Sequence, residues 1–189
     1  MDTRDRLLDS AEAICRSQGF DAFSYAHLSA DIGIRKASIH YHFPTKDDLA
    51  VAMMERYCAR FQDRLQTLST TSENAAARLR GYLDLYREAL SQGEQICLCV
   101  AMSLSRPSLS EGAQGMMTAF HQNSIEWLIA AFEAGEQDGS VSTKERDPRA
   151  KAMATLALVE GAHILTRVSG TIETFDDAVR SFRRQLDKG

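Results

Sequence analysis

Apolar residues recur at three- and four-residue intervals along almost the whole chain, and no strand-like alternation is sustained. Leu7, Leu8, Ala11, Ile14 and Cys15 form one face of a first helix, with Asp2 or Thr3 as its N-cap and Gly19 as its stop. Two short segments follow, Ser24 to about Asp31 and Arg35 to about Tyr41, separated at Gly33. Pro44 and Thr45 then open a long helix, with Thr45 as N-cap and Asp48 three residues on as an imperfect capping box. Its face runs through Leu49, Met53, Tyr57, Phe61, Leu65 and Leu68, and the polar run Ser69 to Ser72 is expected to end it.

Beyond that run the pattern predicts a helix carrying Leu79, Tyr82, Leu83, Tyr86 and Leu90 that stops near Gly93, then a shorter one over about Glu94 to Leu104, broken by Pro107. The segment from about Ser108 to Glu136 is apolar over a wide arc that includes Met116, Met117, Phe120, Trp127 and Phe132. Gly135 to Pro148 is the most loop-like stretch. A helix from about Pro148 to Val168 and a last one bearing Phe175, Val179, Phe182 and Leu186 complete the chain. The expected fold is all-α, with about nine helices.

Two short helices joined at a glycine have the layout of a helix-turn-helix, in which a three- to four-residue turn sets the pair at a steep angle. Leu28, Ile32, Ile39 and Phe43 supply its inward positions, and the hydroxyl of Ser24 can cap the first helix or reach a phosphate. What is left outside on the second helix is Arg35, Lys36, Ala37, Ser38, His40, Tyr41 and His42. Between Ile32 and Lys46 stand three fixed positive charges, two histidines and no acid. Small Ala37 and Ser38 let backbone approach a groove, and Lys36 and His40, four apart, can face the same base edges. Tyr41, His42, Thr45 and Lys46 suit phosphate oxygens, joined by the backbone donors at the start of the long helix.

The run from Phe23 to Leu49, FSYAHLSADIGIRKASIHYHFPTKDDL, resembles the signature of the tetracycline-repressor (TetR) family. In that family Ser or Thr opens the second helix, Gly closes the turn, and a Tyr/His-rich helix end leads to Phe and then Ser/Thr-Lys. The resemblance implies that Tyr25, Lys36, Ala37, Ser38 and His40 sit where the family reads bases. Ser24, Tyr41, His42, Thr45 and Lys46 sit where it grips phosphates. His40 departs from the Tyr more usual there, and its base preference stays open. The implied organisation is a three-helix DNA-binding module over residues 1–48 and a ligand-binding and dimerisation domain over 49–189. The protein would act as a dimeric repressor on a palindromic operator, released by a small-molecule inducer.

The second half supports dimerisation independently. Ala150, Ala154, Ala157 and Gly161 form a small-residue stripe, and Phe175, Val179, Phe182 and Leu186 keep the same 4, 3, 4 spacing. Both are expected to face a partner copy in a four-helix bundle. Candidate sensor residues are Tyr57, Phe61, Tyr86, Cys97, Cys99, Met102, Met117, Phe120, His121 and Trp127, with Glu160, His163 and Arg167 on a polar stripe of the penultimate helix. Cys97 or Cys99 could alternatively sense oxidants or electrophiles. In a regular helix residues two apart point to opposite sides, so at most one would face a pocket.

Composition narrows the partners. With 22 Lys/Arg against 26 Asp/Glu the formal charge is −4, which excludes a protein that coats DNA through bulk charge but not one that reads it locally. Four scattered cysteines do not make a disulfide framework, and the acid-studded N-terminus is not a signal peptide, so a reducing cytoplasm is the expected compartment. There is no phosphate loop, no His-Glu-x-x-His and no nucleophile elbow. A small helical enzyme with an apolar pocket is thus the weaker alternative, and neither cofactor nor metal is expected.

Overall fold

The computed structural model describes residues 2–22, 24–142 and 145–187. Phe23, which opens the run quoted above, and Thr143 and Lys144 of the loop-like stretch lie outside the described residues. Nine α-helices are present among the described residues: α1 Thr3–Gln18, α2 Tyr25–Ile32, α3 Lys36–His42, α4 Lys46–Thr71, α5 Ala75–Ala89, α6 Leu98–Ser103, α7 Glu111–Asp138, α8 Pro148–Ser169 and α9 Glu173–Leu186. None of them is long and apolar enough to cross a membrane.

Local chemistry explains most of the boundaries. Ser24 caps α2 by accepting the His27 amide, and Gly33 closes the helix in the left-handed region at φ 71°. The capping box at α4 is complete despite its short acid: Asp48 accepts the Thr45 amide at 2.9 Å while Thr45 Oγ1 accepts the Asp48 amide at 3.1 Å. Asn74 caps α5 and Asp147 caps α8, where Pro148 occupies the first turn.

Helix α4 ends at Thr71, inside the polar run Ser69 to Ser72 as expected; the hydroxyls of Ser69 and Thr71 fold back onto the carbonyls of Leu65 and Thr67 and carry the helix three residues past Leu68. One helix departs from the expectations. Helix α6 starts at Leu98 rather than near Glu94, since the Cys97 amide donates to a histidine ring instead of a carbonyl of its own turn.

The chain forms two compact units. The first comprises Met1–Ala59 and Leu98–Phe120. Its core is Leu7, Leu8, Ala11 and Cys15 of α1 against Phe20, Leu28, Ile39, Phe43, Leu49 and Met53, with Leu98 to Met102 of α6 also buried. Ile32 is only half-buried. Burial drives the Cys15 thiol up to about 12, so it behaves as a small hydrophobe. Arg56 of α4 ties to Asp9 and Glu12 of α1 at 2.7 and 3.5 Å.

The second unit comprises Arg60–Cys97 and His121–Gly189. Here α5, α8 and α9 pack together over Leu79, Tyr82, Leu83, Tyr86, Val159, Phe175 and Val179. Gly135 of α7 is required by packing: a Cβ there would lie 2.5 Å from a Val141 methyl.

Candidate nucleic-acid interface and sensor region

Helix α3 is held from beneath by Ile39, which is fully buried, and by Phe43 just beyond its end. That anchoring turns Arg35, Lys36, Ala37, Ser38, His40 and Tyr41 outward, and the Tyr41 ring is 84% exposed. An aromatic so exposed has no folding role to explain it. A recess of about 410 Å³ lies beside the helix, lined by Thr3, Ile34, Ala37, Ser38, Tyr41 and His42. It brings the start of α1 next to the outward face of α3. Arg4 extends the same edge, with its guanidinium 5.3 Å from the Phe43 ring centre.

Three other residues of this surface are also tied to the scaffold. The Tyr25 hydroxyl lies 2.8 Å from the Phe43 carbonyl and 2.5 Å from that of Thr45, so its one proton is shared between backbone oxygens. Partial burial, then Asp48 and Asp47, raise this phenol to about 12 and keep it neutral. His40 Nδ1 is 3.1 Å from the Pro44 carbonyl, and its ring meets that of Tyr25 edge-on at 4.8 Å. Lys46 donates to the Phe20 carbonyl at 2.9 Å, with its ammonium 4.3 Å from the Phe20 ring centre. Desolvation lowers the pKa of this lysine, and Asp21 partly offsets the effect. Ser24 and Thr45 are exposed, their hydroxyls already engaged in capping.

The sensor candidates fall in both units. In the first, Tyr57 and Phe120 have ring centres 6.1 Å apart, and Cys99, Met102 and Met117 are buried. The second holds an aromatic cluster: Phe61 lies edge-on to Tyr86 at 5.9 Å, Tyr82 stacks on Trp127 at 5.6 Å, and the indole N–H donates to Ser69 Oγ at 2.8 Å. Burial raises the phenols of both Tyr82 and Tyr86. His121 Nε2 and Glu160 Oε1 are 2.7 Å apart.

The polar stripe expected on the penultimate helix does not form one network. Glu160 turns to His121, and Arg167 to the Glu94 carbonyl at 3.4 Å. His163 is fully buried: its Nδ1 accepts the Cys97 amide at 2.9 Å and its Nε2 donates to the Tyr86 carbonyl at 2.9 Å. With both nitrogens on backbone, this imidazole is a structural bolt. Cys97 and Cys99 are 2% and 0% exposed. Cys97 precedes α6, so the opposed directions expected within one helix do not apply to the pair.

Residues 7–53 match the model of the bacterial regulatory proteins of the tetR family. Over 184 residues the chain is 29% identical to the HTH-type transcriptional repressor NemR of Escherichia coli K12, covering 94% of this chain and 90% of that protein. The fold agrees as fully. A TetR-family transcriptional regulator from Agrobacterium tumefaciens superposes with a TM-score of 0.90 at 28% identity, over 98% of this chain and 96% of that one. The reduced form of E. coli NemR superposes with a TM-score of 0.81 at 28% identity, over 97% of each.

The chain is a TetR-family transcriptional regulator.

In this regulator the outward face of α8 differs from what the small-residue stripe alone suggests. Ala154 and Ala157 are exposed, Ala150 and Gly161 half-buried, and the stripe continues through Ile164, Leu165 and Val168, exposed at 44, 54 and 80%. Met153, 47% exposed, flanks it. These four larger residues were not among the interface candidates, although the three- and four-residue spacing carries straight on to them. The seam expected on the last helix is corrected: Phe175, Val179 and Leu186 are 0, 1 and 2% exposed within their own chain. Helix α9 spends them against α5 and α8, leaving them no surface for a partner. Phe182 is half-buried and lines a cavity of about 360 Å³ with Phe132, Lys151 and Leu158.

Proposed function

We propose that this protein is a repressor that binds a palindromic DNA operator as a homodimer and is released by a small-molecule inducer. Residues 1–48 are the reading module and 49–189 the ligand-binding and dimerisation part. The observation that carries the reading is the construction of α3: Ile39 and Phe43 are buried while Lys36, Ala37, Ser38, His40 and Tyr41 face outward from a properly capped helix-turn-helix. Lys36, Ala37, Ser38 and His40 read bases. Tyr41, His42 and Arg35 bear on phosphates, with Ser24, Tyr25, Thr45 and Lys46 at the edge of the same surface.

Dimerisation through α8 is supported by its run of exposed apolar residues, since contiguous apolar surface of this kind marks an interaction face. Two copies then present recognition helices about 34–36 Å apart, which demands a two-fold operator. The inducer is proposed to be apolar or aromatic, because the clustered aromatic side chains of Phe61, Tyr86 and Trp127 in the second unit offer it little charge. Helix α4 is continuous from Lys46 to Thr71 and is the covalent route by which ligand occupancy reaches the reading module. Such a regulator works in the cytoplasm and turns over no substrate.

The test is selection of bound duplexes from a pool with randomised positions by the full-length chain, followed by sedimentation of the complex. Enrichment of an inverted repeat bound by two chains is expected. A single chain on an asymmetric site, or no enrichment, defeats the proposal.

A further inference from the structure

We infer that His40 selects an amino-bearing base, cytosine or adenine, on the strand that α3 faces, because its hydrogen-bonding polarity is set by the Pro44 carbonyl. The inference rests on the reading-surface assignment of the preceding section and deepens it by giving the side chain a definite code. A neutral imidazole has one N–H and one lone pair, and either nitrogen can carry the proton. In this protein the choice is made. Nδ1 lies 3.1 Å from the Pro44 carbonyl oxygen, an atom that can only accept, so the proton sits on Nδ1 and the lone pair on Nε2.

The ring cannot cheaply turn over to exchange the two. Its flank rests against the ring of Tyr25 at 4.8 Å and 63°. Tyr25 is itself pinned by its hydroxyl to the carbonyls of Phe43 and Thr45. Those residues are fixed in turn, Phe43 by burial in the module core and Thr45 by its reciprocal bonds with Asp48. The segment from Phe43 to Thr45 therefore sets both the tautomer and the plane of His40. The exposed imidazole is left with an acceptor at Nε2.

In the major groove, acceptors find partners on only two bases. Cytosine offers its C4 amine and adenine its C6 amine, whereas guanine and thymine present acceptors. Lys36, one turn earlier on the same face, has only donors, which suits guanine. Four residues of helix advance about 6 Å, close to two base-pair steps of about 3.4 Å. The pair thus reads as donor then acceptor, about two base pairs apart. A tyrosine hydroxyl at position 40 could donate as well as accept, so histidine narrows the choice that tyrosine leaves open.

The experiment uses the full-length chain on duplexes it selects from a randomised pool, measured at about pH 8. At one position per half-site the wild-type chain should require cytosine or adenine. Removing only the amine there, with 2-pyrimidinone for cytosine or purine for adenine, should weaken binding about tenfold, the scale of a base-edge contact. The His40→Ala protein should not respond to that removal, and His40→Arg, donor only, should move the preference to guanine. Position 40 is exposed, so both variants should fold as wild type does. A preference for guanine or thymine at the His40-dependent position overturns the inference alone, as does indifference to the missing amine. A pool from which the wild-type chain enriches nothing overturns the regulatory reading with it.

Discussion

The ring of His163 accepts the amide proton of Cys97 across 66 residues of sequence, at 2.9 Å, in the interior of the second unit. Its other nitrogen donates to the Tyr86 carbonyl, so one neutral imidazole satisfies two backbone groups that water does not reach. His163→Ala should cost about 3 kcal/mol, the sum of two orphaned buried groups and a small cavity. His163→Gln, which can keep one of the two bonds, should lose less. Urea midpoints of the two variants check the order; equal stability of His163→Ala and wild type would contradict the bolt.

Gly33 lies at φ 71° with no atom within 4 Å of where a Cβ would stand. Gly33→Ala therefore costs backbone strain and no collision, about 1 kcal/mol. Gly33→Asn should be milder, because asparagine enters the left-handed region more readily. Thermal midpoints of the three proteins measure this, and a more stable alanine variant would refute it.

Lys36 and Lys46 should fail in different ways. Lys36 is exposed on α3, so Lys36→Ala should leave the thermal midpoint near wild type and reorder the preference among operator variants. Lys46 is spent on the Phe20 carbonyl and ring, so Lys46→Ala should lose about 1 kcal/mol of stability. It should also weaken binding alike on all sequences. Melting curves beside a panel of operator duplexes separate the two.

Arg87 and Asp176 pair through two parallel bonds, Nε to Oδ1 at 2.7 Å and Nη2 to Oδ2 at 2.8 Å, joining α5 to α9. The Arg87 guanidinium holds the Asp176 carboxyl below its ordinary 3.8. A carboxyl depressed on folding stabilises the native state above its unfolded value, and that contribution fades as pH falls below 3.8 through the folded value. Both side chains are 40% exposed, so screening limits the effect. Asp176→Asn should cost at most about 1 kcal/mol at neutral pH, and its deficit should shrink in acid. Urea midpoints at about pH 7 and about pH 3 decide it; a deficit that grows in acid would be the wrong sign.

Ala157 lies exposed in the middle of the apolar run on α8. Ala157→Arg should leave the fold intact and yield a monomer with weakened operator binding, because a charge there would be buried unpaired on association. Sedimentation velocity at micromolar concentration reads the outcome, and an undisturbed dimer would remove α8 from the interface.

Much of the fold is local and was legible in the chain. Ser24, Gly33, the Thr45–Asp48 box and the Pro148 helix start act through neighbours three or four residues away, so spacing reveals them. The helix-turn-helix could be read for the same reason, since Leu28, Ile39 and Phe43 sit inward by period alone. Against the acidic balance of the whole chain, the span from Ile32 to Lys46 stands out in the sequence with three fixed positive charges and no acid.

Periodicity says that a face is apolar but not what covers it. Phe175, Val179 and Leu186 share the spacing of Ala150, Ala154, Ala157 and Gly161, yet the first set is consumed by the chain's own core while the α8 stripe is not. Polar side chains carry the same ambiguity. By sequence, His163 was a candidate ligand contact on a polar stripe and His40 a candidate base contact within the helix-turn-helix. Tertiary structure engaged both nitrogens of His163 with backbone from distant segments, whereas His40 meets a carbonyl only four residues on. Helix patterns follow from the 3.6-residue turn, which the sequence carries within itself, whereas the partner of a hydrogen bond or an apolar face depends on residues brought together across 60 or more positions, as Cys97 and His163 are.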